Sequence, residues 1–484
     1  MTTAPLAEVR GQGIVRDGGS YRDPSGFVYR RDGVLYRQIA PSFAADWDTF
    51  EASGLRSILV DEEILIGHED ASLDLAASSP VYRVIRPEPI AFISYPYEWT
   101  FSQLKDAALL TLRAQTLAAG RGMTLKDSTA FNVQFRGGRP ILIDSLSFER
   151  AIPGAPWVPY RQFCEHFLAP LALMSRVDIR LGLLLRQFID GIPLDLAACF
   201  LPGRTRFGLG LGAHIHLHAR AQRRYADRPA AEAEASAPDP GSETTPAVRG
   251  GMSPGRQAAL IESLQNTIKG LDWKPSGTEW ADYAENTSYD DDATRAKEAL
   301  VGRSLEALGG RVVWDLGANT GRYSRIAADL GRTVLAFDTD PAAAERHYRS
   351  LRAEGRTDTL PLLMDLVDPS PALGWANAER QSLIARSDAD VVLALALVHH
   401  LAIGRNVTLP MLSTFFADLA AGLVVEFVPK EDAMVRRLLA TRRDVFPDYT
   451  LDGFRSAFEE RFELLDETPI EGTARTLFTF RRRG

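Results

Sequence analysis

Short apolar segments alternate with helical segments in the second half of the chain, and this alternation limits the possible folds more than any other feature. The apolar segments cover residues 311–314, 333–337, 360–364, 391–397 and 423–428, with helical segments at 323–330, 342–354 and 409–419. Strands that are apolar on both faces and separated by helices indicate a parallel sheet covered on both sides. Segments 462–466 and 476–481 leave no room for a helix between them, so they predict an antiparallel hairpin at one sheet edge.

The first half of the chain has a less regular pattern. Strand-like segments are predicted at residues 26–30, 35–39, 57–60, 63–66 and 81–85, and helices at 101–119 and 163–174. This order predicts an α+β region in which a small sheet precedes a mostly helical lobe. A stretch rich in Ala, Pro, Glu, Ser and Thr separates the halves and is predicted to be a flexible linker. The predicted division is therefore 1–225, a linker at 226–252, and 253–484.

Composition restricts the partners and the compartment. The 484 residues carry 55 Lys and Arg against 63 Asp and Glu, a formal net charge of −8, which argues against a nucleic-acid backbone as the main partner. Two cysteines, Cys164 and Cys199, cannot form a disulfide scaffold. The sequence has no apolar run of membrane-spanning length and no signal-peptide pattern at its start, so a cytoplasmic location is predicted. The oligomeric state is left open.

The segment Val312 to Gly321 contains the strongest predicted site. A buried strand ends at Asp315, and a turn containing Gly317 and Gly321 then opens a helix. Glycines let a ligand approach the backbone, and ligands of open α/β sheets bind at the carboxyl ends of the strands. The spacing differs from the dinucleotide pattern, in which three glycines follow the strand.

The charge of this loop narrows the choice of ligand. A carboxylate at Asp315 would repel a diphosphate and suits a ligand that bears an ammonium group, such as S-adenosylmethionine. The next strand ends at Asp338, where an acid can bind both ribose hydroxyls. A third strand ends near Asp365, which is placed to approach the adenine amino edge.

These features together resemble the class I S-adenosylmethionine-dependent methyltransferases over residues 255–484. The resemblance implies a Rossmann-like seven-stranded sheet, S-adenosylmethionine as cofactor, and cofactor contacts from Asp315, Gly317, Gly321, Asp338 and Asp365. Asn319 stands in the same loop where many members have glycine, and it is included among the predicted cofactor-binding residues. The segments 395–401 and 426–432 resemble the nodulation protein NoeA-like group more closely.

Three residues beyond the fourth and fifth strands are candidates for catalysis. His399 and His400 could remove a proton from an acceptor hydroxyl or amine, or one of them could begin the next helix and shield the pocket. Glu426 could orient the acceptor or lie in a solvated loop. Tyr289 precedes the sheet and is predicted either to face the sulfonium by cation–π attraction or to lie in the core.

No metal site is predicted. The side chains of His214, His216 and His218 would share one face of a strand, but their flanking residues favour a helix, which separates them angularly.

A second pattern lies in the first half of the chain. Asp127, Asn132 five residues later, and Asp144 after an apolar strand resemble the phosphotransferases of the aminoglycoside-kinase type. In that family the first acid positions the hydroxyl, and the Asn and the last acid hold magnesium. Leu125 replaces the usual His, Ser145-Leu146 follows the last acid, and Arg37 is found near the usual lysine position. The resemblance implies a degenerate kinase-like region that binds a substrate or partner.

The sequence thus predicts a methyltransferase that acts on an O, N or C atom of a small molecule or saccharide, with a kinase-like N-terminal region. A bifunctional kinase–methyltransferase and a non-catalytic binding protein are the alternatives.

Overall fold

The computed structural model describes residues 13–220, 252–277, 291–440 and 443–484. The predicted linker lies outside these residues except for its last position, and so does Tyr289. Within the described residues, no helix is both long enough and apolar enough to span a bilayer.

A five-stranded antiparallel sheet begins the chain, in the order β1-β2-β3-β5-β4, and helices and two short strand pairs follow it. The strands are β1 Ile14–Arg16, β2 Gly26–Arg31, β3 Val34–Ile39, β4 His68–Ala71, β5 Arg83–Pro87, β6 Met123–Leu125, β7 Val133–Arg136, β8 Arg139–Leu142 and β9 Phe148–Arg150. The helices are α1 Ala44–Ala52, α2 Leu55–Asp61, α3 Phe101–Ala119, α4 Tyr160–Phe163, α5 Ala169–Arg176, α6 Leu184–Gln187, α7 Leu194–Phe200 and α8 Leu209–Leu211.

Two strand predictions in this region are wrong. Residues 57–60 belong to α2, because Leu55 and Leu59 are spaced by four and both side chains are fully buried on one helix face. Residues 63–66 form a turn in which only Leu65 makes a β-bridge, to Leu142. The predicted helix at 101–119 is confirmed, and its first turn is fixed by a capping box between Thr100 and Gln103.

The second half forms the predicted α/β sheet. Its strands are β10 Val312–Leu316, β11 Thr333–Asp338, β12 Thr359–Leu363, β13 Val391–Ala394, β14 Gly422–Phe427, β15 Phe462–Pro469 and β16 Thr476–Arg482. Its helices are α9 Pro254–Lys269, α10 Asp291–Leu308, α11 Arg322–Asp329, α12 Pro341–Glu354, α13 Leu409–Leu419, α14 Ala433–Leu439 and α15 Leu451–Glu459.

The order of these strands is β12-β11-β10-β13-β14-β16-β15, which confirms the seven-stranded sheet. The first five strands are parallel, and β16 pairs antiparallel with both β14 and β15. The predicted strand at 391–397 ends early, at Ala394, because the backbone turns to a positive φ at Ala396. The strand order reverses between β10 and β13, so a crevice opens at their carboxyl ends.

The first half of the chain covers one face of this sheet. The 27 residues between β12 and β13 contain two short 3₁₀ turns and no α-helix, although a parallel crossover usually contains one. The ring of Phe92 instead packs edge-on against Trp314, with ring centroids 5.6 Å apart, and against Phe337 at 6.2 Å. Helix α3 continues this layer, since Gln103 donates a 2.9 Å hydrogen bond to the carbonyl of Pro361 in β12. Buried apolar residues of both halves therefore form one continuous core.

Candidate functional site

The bend after β10 places a carboxylate and two glycines with left-handed backbone conformation at the crevice. Asp315 is buried at the end of β10 and accepts a 2.6 Å hydrogen bond from the hydroxyl of Ser324. Gly317 and Gly321 have φ values of +78° and +83°, in the left-handed region that favours glycine. The N–H groups of Gly317 and Ala318 both donate to the carbonyl of Phe337 in β11, which holds the bend against the next strand.

Asp338 at the end of β11 is connected directly to this bend. One oxygen accepts a 2.7 Å hydrogen bond from the N–H of Asn319, and the other accepts a 2.8 Å bond from the N–H of Asp340. Asn319 itself has a φ of +51°, which asparagine tolerates better than most residues. The structure thus brings Asp315, Asn319 and Asp338 to one edge of the sheet, as the sequence analysis expected of residues that follow neighbouring parallel strands.

Burial changes the proton affinity of both carboxylates. It raises the pKa of Asp315 to about 6, an effect that the Ser324 hydroxyl partly opposes. Burial likewise raises the pKa of Asp338 to about 6, against the hydrogen bonds from the Asp340 and Asn319 N–H groups. Burial disfavours the charged form of both carboxylates, so this edge of the sheet favours a ligand with positive charge and hydroxyl donors.

The two glycines serve different purposes. A Cβ atom on Gly317 would lie 3.4 Å from Leu397 Cδ1, at the inner wall of the crevice. A Cβ atom on Gly321 would lie 2.0 Å from the Nε2 atom of the buried His347. Gly321 is therefore required by packing against helix α12, whereas Gly317 lies in the turn that shapes the crevice.

Asp365 follows β12 and begins the long crossover to β13. It is half-buried, accepts a 3.0 Å hydrogen bond from the N–H of Val367 and lies 3.7 Å from the Arg405 guanidinium. Its place at the carboxyl edge, beside β11, is the one that the sequence analysis predicted for an adenine contact.

His399 and His400 lie after β13 on the other side of the crevice, with ring centroids 4.0 Å apart. His399 is almost fully buried, and neither of its ring nitrogens has a hydrogen-bond partner within the described parts of the chain. Burial lowers the pKa of His399 well below its usual value and that of His400 to about 4. Both imidazoles are consequently neutral at pH 7.

Glu426 at the end of β14 is fully buried in a network of charges. Its Oε2 atom accepts a 2.6 Å bond from Lys297 Nζ and a 2.8 Å bond from the N–H of Ala396. Its Oε1 atom accepts a 3.2 Å bond from Arg475, which also pairs with Asp432 at 2.8 Å. With two cations and an N–H directed at it, this carboxylate holds the ends of β13 and β14 together.

Sequence analysis missed Lys297 and Arg475, both almost fully buried. Lys297 had a detectable signal, because it falls at four-residue spacing with the buried Ala293, Val301 and Leu305 on the apolar face of α10. Arg475 gave no such signal, since it lies in a polar turn before β16.

The three residues of the kinase-like pattern also lie together. The Asp144 carboxylate receives hydrogen bonds from the Arg37 guanidinium and from the N–H of Leu146. Asn132 donates a 3.1 Å hydrogen bond to Ser147 Oγ, and its side chain also contacts Asp127. Burial is the main cause that raises the pKa of Asp127, and the charge of Asp144 adds to it.

His214 and His216 lie on a π-helical turn, Gly212–Leu217, which His218 follows, and each of the first two has an ordinary partner. His214 contacts the Tyr160 hydroxyl at 2.7 Å and Ser263 Oγ at 2.9 Å, and His216 contacts Thr205 Oγ1 at 2.7 Å. No cluster of three metal-ligating side chains occurs in the residues that the structure describes.

Comparison with known proteins gives one full-length relative. Nodulation protein NoeA of Rhizobium meliloti (strain 1021) is 36% identical over 474 residues, which cover 96% of each chain. The chain belongs to the NoeA family. The NoeA relationship includes both halves of the chain and the segment between them, and no family model matches the sequence.

Several solved structures share parts of the fold with this NoeA family member. Magnesium protoporphyrin IX methyltransferase (ChlM) from Synechocystis PCC 6803, with bound SAH, is 16% identical, with a TM-score of 0.30 over 41% of this chain and 90% of its own. N-methyltransferase NodS from Bradyrhizobium japonicum WM9 is 14% identical, with a TM-score of 0.29 over 40% and 99%. The bifunctional kinase-methyltransferase WbdD is 16% identical, with a TM-score of 0.28 over 44% and 45%.

Proposed function

We propose that this NoeA family member is an S-adenosylmethionine-dependent methyltransferase that acts on an O, N or C atom of a small molecule or saccharide. The observation that carries the proposal is the convergence of Asp315, Gly317 and Asp338 at the reversal point of the seven-stranded sheet. S-adenosylmethionine, when bound, supplies a methyl group that its positive sulfonium already makes reactive.

The residues at the crevice fit this cofactor. The buried Asp315 carboxylate suits the ammonium group of the methionine part. S-adenosylmethionine has no phosphate that this carboxylate would repel. The Asp338 oxygens accept backbone N–H groups, among them those of Asn319 and Asp340, and a carboxylate has further lone pairs for a ribose hydroxyl. Asp365 lies beyond Asp338 at the same edge of the sheet and is proposed to contact the amino edge of the adenine. The burial of two neighbouring carboxylates, which raises both pKa values, is itself the observation that favours a cationic nucleoside.

His399 and His400 are proposed to contact the acceptor. The neutral imidazole of His399, whose ring nitrogens have no hydrogen-bond partner among the described residues, can accept a hydrogen bond from a hydroxyl or an amine and so orient its lone pair toward the methyl carbon. Transfer forms the bond from acceptor to methyl, breaks the carbon–sulfur bond and leaves S-adenosylhomocysteine, and the acceptor proton passes to base or water. Orientation and exclusion of water are the main contributions that the protein would make.

Glu426 is proposed to position the acceptor side of the crevice rather than to touch the acceptor. It fixes the N–H of Ala396, and therefore the turn that leads to His399, and it holds Lys297. The N-terminal kinase-like region is proposed to bind the acceptor or a partner.

The proposal is tested by supplying methyl-labelled S-adenosylmethionine and the full-length protein to a cell extract and searching for products that gain one labelled methyl group. We expect labelled products with the wild-type chain and none with the Asp338→Asn variant. The absence of any labelled product with wild-type protein would contradict methyl transfer to a small molecule.

A further inference from the structure

The turn that follows α7 carries the two most exposed large apolar side chains in the described parts of the chain. Phe207 ends a 3₁₀ turn, Gly203–Phe207, and is 90% exposed, and Leu209 begins α8 and is 94% exposed. Single apolar side chains are common on protein surfaces and need no explanation. Two neighbouring side chains that lie almost entirely in water gain very little from folding, so they indicate a partner outside the chain.

Residues 203–211, the 203–211 turn, are held firmly at their base. The hydroxyl of the buried Thr205 donates a 2.7 Å hydrogen bond to a backbone carbonyl and lies 2.7 Å from Nε2 of His216. A Cβ atom on Gly210 would lie 2.3 Å from the Oγ1 atom of Thr267, so the turn packs closely against α9. The two exposed side chains are therefore projected outward by a backbone that the rest of the fold fixes.

Positive charge surrounds this turn. Arg204, Arg206 and Arg220 are exposed, and residues 196–220 contain these three arginines and no acid, in a chain whose net charge is −8. Burial lowers the pKa of His216 at the base of the turn, and the charges of Arg206 and Arg220 add to this effect, so both guanidinium groups lie near it. Among the described residues, none of the three arginines forms an ion pair with an acid. Unpaired arginines beside projecting apolar side chains are complementary to a surface that is negative outside and apolar beneath.

A groove of about 750 Å³ lies between the turn and α9. Arg176 and Arg204 contribute two guanidinium groups to its lining, and Leu209 and Leu211 contribute apolar surface. Glu262 is the one acid among its described lining residues. The groove thus places cationic and apolar surface side by side next to the exposed side chains, which suits a phosphate headgroup and the start of an acyl chain.

We propose that the 203–211 turn docks this protein on a membrane surface that contains anionic phospholipids. Phe207 and Leu209 enter the boundary between the headgroups and the acyl chains, where an apolar side chain leaves water. Arg204 and Arg206 remain at the level of the headgroups and contact lipid phosphates. The proposal does not depend on methyl transfer, because none of these residues lies at the crevice of the seven-stranded sheet.

Area and charge favour a membrane over a protein partner. A buried aromatic side chain contributes about 150–250 Å², whereas a specific protein interface takes about 800 Å² from each partner. Two projecting side chains on one turn supply only part of that area. A bilayer accepts projecting side chains without a matching surface, and its negative face attracts the arginines.

The test measures sedimentation of the full-length protein with vesicles of phosphatidylcholine alone and of phosphatidylcholine mixed with phosphatidylglycerol. We expect wild-type protein to sediment with the mixed vesicles, to bind the neutral vesicles at least about tenfold more weakly, and to leave the mixed vesicles as the salt concentration rises. Protein that stays in the supernatant with both kinds of vesicle, or that binds both equally, would overturn the proposal.

Two double variants separate the apolar contact from the electrostatic one. Phe207→Ser with Leu209→Ser should weaken binding to the mixed vesicles by more than about tenfold. The thermal unfolding midpoint should not change, because both side chains already lie in water. Arg204→Gln with Arg206→Gln should weaken binding to the mixed vesicles and reduce its dependence on salt.

Met411→Ser with Val445→Ser is the matched control, because those side chains are 59% and 58% exposed and belong to the second half of the chain. This control should bind the mixed vesicles as wild-type protein does. Unchanged vesicle binding by the Phe207→Ser, Leu209→Ser variant would remove the turn from membrane contact. If light scattering then showed that this variant had changed from a dimer to a monomer, the turn would be an interface between two copies of the chain. Either result would contradict docking on a membrane.

Discussion

Glu98 and Arg386 are 288 positions apart in the chain and form a buried bidentate ion pair, with Nη1 3.0 Å from Oε2 and Nη2 2.5 Å from Oε1. Their side chains are only 1% and 3% exposed. Glu98 also accepts a bond from Ser370, and Arg386 donates to the carbonyl of Ile93. The pair joins the segment before α3 to the crossover between β12 and β13, where an α-helix would otherwise cover the sheet.

Breaking this pair should destabilise both halves of the chain together. Arg386→Ala leaves a buried carboxylate without a cation, so we expect the free energy of unfolding to fall by about 3–5 kcal/mol. Urea denaturation, followed by circular dichroism and by tryptophan fluorescence, should show one cooperative transition at a lower midpoint.

The pair Arg86–Glu69 provides the matched control, because its side chains are 52% and 72% exposed. Arg86→Ala should cost about 0–1 kcal/mol. Two separate transitions in the Arg386→Ala protein, with the second-half transition unmoved, would mean that the halves fold independently.

A second prediction concerns the glycines of the cofactor loop. Gly321→Ala should disrupt the bend, because its Cβ would collide with His347 and its φ of +83° is strained for alanine. Gly331→Ala is the control, since its φ of +78° is similar but nothing lies within 4 Å of its Cβ position. Scanning calorimetry should show that the free energy of unfolding falls by about 1 kcal/mol in the control and by more in Gly321→Ala. Titration calorimetry should show weaker cofactor binding for Gly321→Ala alone. If both variants lost the same free energy of unfolding, the collision with His347 would not be the cause.

Cofactor binding should depend on pH in the direction set by the two buried acids. The pKa values of Asp315 and Asp338 are raised to about 6, and only the ionised forms attract an ammonium or accept fully from ribose hydroxyls. Affinity should therefore be constant above pH 7 and fall below pH 6, by up to about tenfold per pH unit for each carboxylate. The stability of the ligand-free protein should change with pH in the opposite direction. The free energy of unfolding falls as the pH rises from about 4 to 6, because these two acids ionise at a lower pH in the unfolded chain than in the folded one. An affinity that is flat from pH 5 to 8 would contradict the assignment.

The histidines predict a different pH profile for turnover. The pKa of His400 is lowered to about 4 and that of His399 lies well below its usual value, so both stay neutral from pH 6 to 9. At saturating cofactor, the plot of kcat against pH should show no ionisation near pH 6.5. The His399→Ala substitution should change kcat by a larger factor than it changes KM. A bell-shaped profile with an acid limb near 6.5 would indicate a conventional histidine base instead.

Much of the second half could be predicted from sequence because local signals and tertiary packing agree there. Asp315 and Asp338 were predictable because each follows a doubly apolar strand, and parallel strands bring their carboxyl ends to one edge. The hairpin of β15 and β16 followed from the short connection between two apolar strands. The end of β13 was less predictable, since Glu426 draws the N–H of Ala396 out of the strand.

The interaction between the halves could not be predicted in this way. Nothing local marks Phe92 as the residue that covers Trp314, because the contact joins positions more than 200 residues apart. Arg475 lies in a polar turn and Glu98 among aromatic residues, and only the folded chain shows that each is buried against an opposite charge. Residues 57–60 were predicted as a strand, but Leu55 and Leu59, spaced by four residues, are buried on one face of a helix.

Calorimetric titration of the full-length protein with S-adenosylmethionine tests the central claim most directly. We expect one saturable site per chain, affinity weakened by more than tenfold in Asp338→Ala, and no binding of a dinucleotide such as NAD⁺. Wild-type protein that binds the dinucleotide and not S-adenosylmethionine, or an Asp338→Ala variant with unchanged affinity, would contradict the account.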